Sequence, residues 1–153
     1  MAHTVIVYAS QHHGNTKKLA ESLAEKYGIP LIDASLQPQA DLSGYDLIGF
    51  ASGIDFGNFY PSILQFLQEN LPVGKRVFFL YTSAKISSRF TKQIREEALK
   101  KGALILGEYG CRGYNTYGPW KLIGGMNKQH PNQSDCDEAA HFYDSILAEC
   151  PAN

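Results

Sequence analysis

Cysteine is scarce in this 153-residue chain: Cys111, Cys136 and Cys150 stand far apart and odd in number. No CxxC pair and no Cys/His spacing marks zinc or dithiol chemistry, and the missing disulfide framework fits a reducing cytoplasm. Excess charge is also lacking, since 14 Lys and Arg against 15 Asp and Glu leave a formal net charge of -1. That balance removes the electrostatic case for nucleic acid, which is bound through clustered cations on phosphates. It gives no field to steer a strongly basic partner either. No apolar run approaches membrane-spanning length, and the N-terminus lacks the basic start and long apolar body of a secretory signal. The expectation is a cytoplasmic protein with no nucleic-acid or membrane partner. Internal repeats, low-complexity stretches and linkers are missing too, so residues 1–153 read as one domain.

What is present is alternation. Thr4 to Ala9 is β-branched and apolar on both parities, as a strand buried on both faces requires. From Asn15 to Tyr27, Leu19, Ala20, Leu23, Ala24 and Tyr27 recur at helical spacing, and Gly28 and Pro30 stop the helix. Ile29 to Ile32 reads as a second strand, and Ala34 to Gly44 as a polar connection. Tyr45 to Ala51 reads as a third strand, before a helix opened by Pro61 that carries Ile63, Leu64, Phe66, Leu67 and Leu71. Arg76 to Tyr81 is a fourth strand, Ser88 to Lys101 a helix with Phe90, Ile94 and Ala98 inward, and Ala103 to Leu106 starts a fifth strand. Ser134 is placed to cap a last helix, with Asp135, Asp137 and Glu138 where the helix dipole favours acids. Its apolar face is Ala139, Phe142, Tyr143, Ile146 and Leu147. Strands and helices in alternation predict an α/β fold, a parallel sheet with helices on both faces.

In such sheets ligands sit beyond the carboxyl ends of the strands, where the strand order reverses. The polar, glycine-rich segments fall there. Ser10, Gln11, His12, His13, Gly14, Asn15 and Thr16 run from the first strand into the first helix. Backbone N–H groups at a helix start, with hydroxyl and amide side chains beside them, suit an anion such as phosphate. No Gly-Lys-Ser/Thr follows, so this is not a Walker loop, and no G-x-G-x-x-G pattern is present. An ordinary capped turn has the same ingredients. After the third strand come Ser52, Gly53, Ile54, Asp55, Phe56 and Gly57, where glycines allow a close path and aromatics offer a flat wall. Phe59 reads better as core. After the fourth strand, Thr82, Ser83 and Ala84 are small enough for backbone contacts to a flat heterocycle. Gly110 to Gln133, rich in Gly, Asn and aromatics, is long enough to carry function of its own.

These segments carry a resemblance. His12-His13-Gly14-Asn15-Thr16-Lys17-Lys18, Asp46 to Gly53, and Gly124-Gly125-Met126-Asn127-Lys128 make the chain similar to short members of the flavodoxin family over essentially its whole length. The resemblance implies a flavodoxin-like three-layer, doubly wound fold whose five parallel strands stand in the order 2-1-3-4-5. It implies FMN, with phosphate on the first loop and the isoalloxazine between the second and third. It implies a carrier passing electrons to redox partner proteins. The chain departs from the family pattern at Gln11 and His13, where Ser or Thr is usual. The third loop has no tyrosine for the outer stacking ring, so Tyr114, Tyr117 or Trp120 would supply it. An FMN-dependent reductase of a quinone or small electrophile, and a flavin-free binding module, are the alternatives on the same fold.

Overall fold

The computed structural model describes residues 2–11, 14–113 and 130–150. Within them the chain runs β1 (Thr4–Ala9), α1 (Asn15–Tyr27), β2 (Leu31–Asp33), β3 (Leu47–Asp55), β4 (Asn58–Phe59), α2 (Pro61–Asn70), β5 (Arg76–Ser83), α3 (Lys92–Lys100), β6 (Leu104–Arg112) and α4 (Gln133–Ala148). The sheet order is β2-β1-β3-β5-β6, all parallel, while the two-residue β4 folds back antiparallel on the end of β3. Leaving β4 aside, the parallel strands stand in the expected 2-1-3-4-5 order. Parallel neighbours demand crossover helices, and these cover both faces.

Side chains alternate across each strand, so one strand feeds two cores. Val5 and Val7 of β1, Ile48 and Phe50 of β3, and Val77 and Phe79 of β5 pack with Ile63, Phe66 and Leu67 of α2 and Ile94 and Ala98 of α3. Ile6, Leu47, Phe78 and Leu80 face the other way, onto Leu19, Ala20 and Leu23 of α1 and Ala139, Tyr143 and Ile146 of α4. Most of these are fully buried, and each large apolar side chain so buried is worth about 1.5–3 kcal/mol.

Two glycines let aromatic rings lie flat across a neighbouring strand. Gly49 is the register partner of Phe78, and a Cβ on it would stand 2.4 Å from the Phe78 ring. Gly110 is the partner of Tyr81, and a Cβ there would stand 2.1 Å from that ring. Each ring fills the space its glycine leaves.

Several boundaries differ from the sequence reading. Ile29 belongs to the helix ending, because the N–H groups of Gly28 and Ile29 both return to Ala24 O, at 2.8 and 3.1 Å. The strand expected from Tyr45 starts at Leu47, after a turn in which Tyr45 N–H donates to Leu42 O. The helix expected from Ser88 opens as a 3-10 turn, Ser88–Thr91, with Ser87 Oγ accepting from Arg89 N–H. The last helix is capped by Asn132 rather than Ser134. Asn132 Oδ1 accepts from Asp135 N–H (2.9 Å) and Asp135 Oδ2 accepts from Asn132 N–H (2.8 Å), a reciprocal box that outcompetes a lone serine further in. Gly110, Cys111 and Arg112, read as loop, complete β6. Glu108 on that strand is held from α3, accepting from Thr91 Oγ1 (2.8 Å) and from the Arg95 guanidinium (Nε 2.8 Å).

Candidate binding site at the carboxyl edge of the sheet

The connections from β1 and β3 leave in opposite directions, so the carboxyl ends of these two strands form the switch point of the sheet. Three expected segments meet at this edge. β1 delivers Ser10 and Gln11, while Gly14, Asn15 and Thr16 start α1; His12 and His13 lie outside the described residues. Gly14 adopts φ 67°, and no side chain caps the helix it opens. Among the described residues, chain neighbours aside, nothing lies within 4 Å of where a Cβ on Gly14 would stand. Ser10 Oγ, at the mouth of this turn, is buried without a hydrogen-bond partner, the sole such side-chain atom among the described residues.

The start of α1 is gripped from two other strands. Thr16 Oγ1 lies 2.8 Å from Thr82 Oγ1 at the end of β5, both side chains buried. The Asn15 side chain packs on Gly113, where a Cβ would come within 2.6 Å of Asn15 Nδ2. Gly113 N–H in turn donates to Ser83 O at 3.0 Å. Thr16, expected to face a ligand with its hydroxyl, thus pairs it with the Thr82 hydroxyl.

The second segment is more ordered than a loop. Ile54 and Asp55 pair with Phe59 and Asn58, and the two residues between, Phe56 and Gly57, both have positive φ (51° and 78°). Two consecutive positive φ values make the mirror-image turn of tight hairpins, where Asn-Gly is preferred and Phe is strained. Ser52 Oγ donates to Gly53 O (2.6 Å) and accepts from Tyr60 N–H (2.9 Å), so its hydroxyl locks the hairpin to β3. The Tyr60 hydroxyl covers Gly53, and burial, helped by Asp55, raises its pKa. Phe59 is core, edge-on to Phe79 at 6.2 Å between centroids. Phe56, expected as a flat wall, is instead 92% exposed. With Asp55, Asn58, Leu64, Gln68 and Gln93 it edges an open groove of about 570 Å³ on the α2–α3 flank.

The third segment is pinned from below. Tyr81 Oη donates to Ser87 O and accepts from Ser87 N–H, both at 3.1 Å, which folds Ser83 to Ser87 over the end of β5. Thr82 is buried, and Ser83 and Ala84 are half-buried. Cys111 is buried on the α4 side, where desolvation pushes its thiol pKa well up, as expected of a structural cysteine. Tyr114, Tyr117, Trp120 and the Gly124 to Lys128 motif lie outside the described residues.

Sequence reasoning missed Gly113 and the Thr82 hydroxyl as supports of the first loop. Glycine after an apolar strand was the available signal for the former; nothing local marks the latter. Among the described residues no cluster of His, Cys, Asp and Glu could hold a metal, and no helix is long and apolar enough to cross a membrane.

Known proteins resemble this arrangement. A flavodoxin domain family model matches residues 5–112. An uncharacterised protein of Methanocaldococcus jannaschii is 41% identical over 145 residues, covering 94% of this chain and 97% of that one. A flavodoxin from the domain Archaea superposes with TM-score 0.67 at 17% identity, covering 95% of this chain and 97% of its own. A Lactobacillus acidophilus flavoprotein in complex with FMN superposes with TM-score 0.55 at 20% identity, covering 73% and 93%. The family match over most of the strands and helices, together with the same doubly wound sheet, places the chain in the flavodoxin domain family.

Proposed function

We propose that the chain is an FMN-binding electron carrier of the cytoplasm, with its phosphate loop at Ser10 to Thr16 and its ring site between the ends of β3 and β5. The observation that carries this reading is the orphaned Ser10 Oγ beside an uncapped helix start. A buried hydroxyl without a partner is costly, and a phosphate oxygen is the acceptor such a place suits. Gly14 leaves the room, and the described part of the loop holds no carboxylate to repel a dianion. A single phosphate-type loop without a dinucleotide glycine pattern favours a mononucleotide. The relative crystallised with FMN supports the same choice.

In this reading Ser10 donates to phosphate, and the first-turn backbone of α1 adds its positive dipole end. Thr82, through Thr16, and Gly113, through Asn15, hold the helix start in place. The backbone of Gly53 to Asp55 and of Ser83 and Ala84 borders the ring. Bound flavin supplies one- and two-electron chemistry; the protein supplies position, electrostatics and exclusion of water. Three free thiols suit a reducing compartment.

The test is the visible spectrum of the purified protein and the mass of any extracted cofactor. A yellow protein releasing FMN, or a colourless one that takes up added FMN at micromolar concentration, is expected. Stoichiometric FAD, or no uptake, overturns the reading. Rapid NAD(P)H oxidation without a protein partner would show a reductase rather than a carrier.

A further inference from the structure

From Ala84 to Arg95 the chain carries Lys85, Arg89, Lys92 and Arg95 and not one Asp or Glu. Arg95 is neutralised by Glu108. Lys85, Arg89 and Lys92 are exposed, and none of their side chains has an acidic partner among the described residues. Arg112 joins them. It is the register partner of Ser83, and its parity on β6 is that of Glu108, so it stands on the α3 side of the sheet. Four cations with no ion pair among the described residues therefore gather beside the third segment, in a chain of net charge -1.

Two apolar side chains lie on the same flank. Ile86 is 52% exposed within the cationic stretch, and Phe56 is 92% exposed on the hairpin. The hairpin packs on the 3-10 turn and α3, and Phe56 shares its groove with Gln93, the neighbour of Lys92. Phe56 also holds a left-handed backbone that phenylalanine rarely adopts. A turn position that favours Asn carries instead a strained, solvent-exposed ring, the kind of local conflict kept where a side chain has work outside the fold. The nearby acids are few: Asp55 on the hairpin and Glu96 on α3, besides the paired Glu108 and Glu97.

We infer that this flank, which carries exposed Phe56 and Ile86 together with Lys85, Arg89, Lys92 and Arg112, docks an acidic partner protein. Charge complementarity sets the sign of the partner, and the two apolar anchors select a protein surface over a phosphate lattice, which would need cations in greater number. The inference rests on the electron-carrier reading for why the docking face adjoins the ring site. Its physical content is binding, which can be read without electron flow.

The experiment titrates isotope-labelled protein with a redox-inert, gallium-substituted ferredoxin as a small acidic probe, and with basic cytochrome c as its counterpart. Expected amide shifts fall on residues 85–92, Arg112 and Phe56, with affinity dropping about tenfold as salt rises from roughly 50 to 500 mM. Lys85→Glu/Arg89→Glu/Lys92→Glu should weaken ferredoxin binding at least about tenfold. Phe56→Asn should weaken it while leaving the melting temperature equal or higher, so that loss of fold cannot explain the result. No shifts, shifts on another face, equal engagement by cytochrome c, or unchanged binding by either variant overturns the inference. A protein that takes up no FMN yet docks ferredoxin on this flank would sink the carrier reading and leave the surface standing. A flavin-loaded protein that does not dock would do the reverse.

Discussion

Thr16 Oγ1 and Thr82 Oγ1 lie 2.8 Å apart with both side chains buried, a hydroxyl pair joining the start of α1 to the end of β5 across 66 positions of sequence. It is the contact that makes the first and third segments one site. Replacing either threonine by valine keeps the volume and strands a buried hydroxyl, so each single variant should lose about 1–3 kcal/mol of unfolding free energy. The double valine variant removes both groups and should fall well short of the sum, since contacting residues are not additive. Urea titration of the four proteins measures this. Strictly additive losses would mean that the two hydroxyls do not depend on each other.

Ser10 makes the opposite prediction for the empty and loaded protein. Ser10→Ala removes an unpartnered buried oxygen, so the ligand-free protein should be as stable as before or slightly more so. FMN should bind about 10- to 150-fold more weakly, the equivalent of a roughly 1.5–3 kcal/mol bond to a charged group. Riboflavin, which lacks the phosphate, should be unaffected. Equal weakening of both flavins would place Ser10 away from the phosphate.

Gly110→Ala should be among the most damaging single methyl additions in the sheet. Its Cβ would stand 2.1 Å from the Tyr81 ring, whose hydroxyl pins Ser87. Moving the ring disturbs the third segment as well, so a stability loss of about 1–3 kcal/mol should come with weaker flavin binding. Gly14→Ala, in open space but at positive φ, should show backbone strain without a clash. A harmless Gly110→Ala would show that Tyr81 has another rotamer to use.

Stability should hold through neutrality and decline in alkali. Desolvation raises the pKa of Cys111 foremost, and of Cys150, so the folded chain keeps these protons longer than the unfolded one. The unfolded chain ionises first, from the ordinary thiol value near about 8.5, and stability falls as pH rises above it. Half-buried Tyr109 and buried Tyr143 and Tyr81, also raised by desolvation, add to the decline above about 10. Cys111→Ala should remove part of the loss between pH 8 and 10 in melting experiments. An alkylating reagent should label half-exposed Cys136 well before Cys111.

Much of the fold was legible because buried parallel strands are apolar on both parities, as in Val5-Ile6-Val7 of β1, Leu47 to Ala51 of β3 and Val77 to Tyr81 of β5. The place of the candidate site was read from topology together with the glycine-rich segments that fall at the carboxyl edge. What escaped was whatever depended on a distant partner. Ser52 looks like a ligand group until Tyr60 N–H is found on it, and Thr16 looks like one until Thr82 arrives from another strand. The β4 hairpin escaped because two pairing residues are too short a run to show a period, and its turn carries Phe where a turn-forming Asn is the usual signal. The cap at Asn132 was readable, since Asn and Asp three apart form a box, yet the nearer serine drew the assignment.

The rings lying over Gly49 and Gly110 make each glycine and its cross-strand aromatic a single shared unit of volume. Neither member can be enlarged without moving the other. A chain that enlarges position 49 must shrink or turn aside the ring at position 78, and positions 110 and 81 are bound likewise. Volume at these places is therefore exchanged between strands, and a chain that has changed only one member of a pair is the least stable of the set.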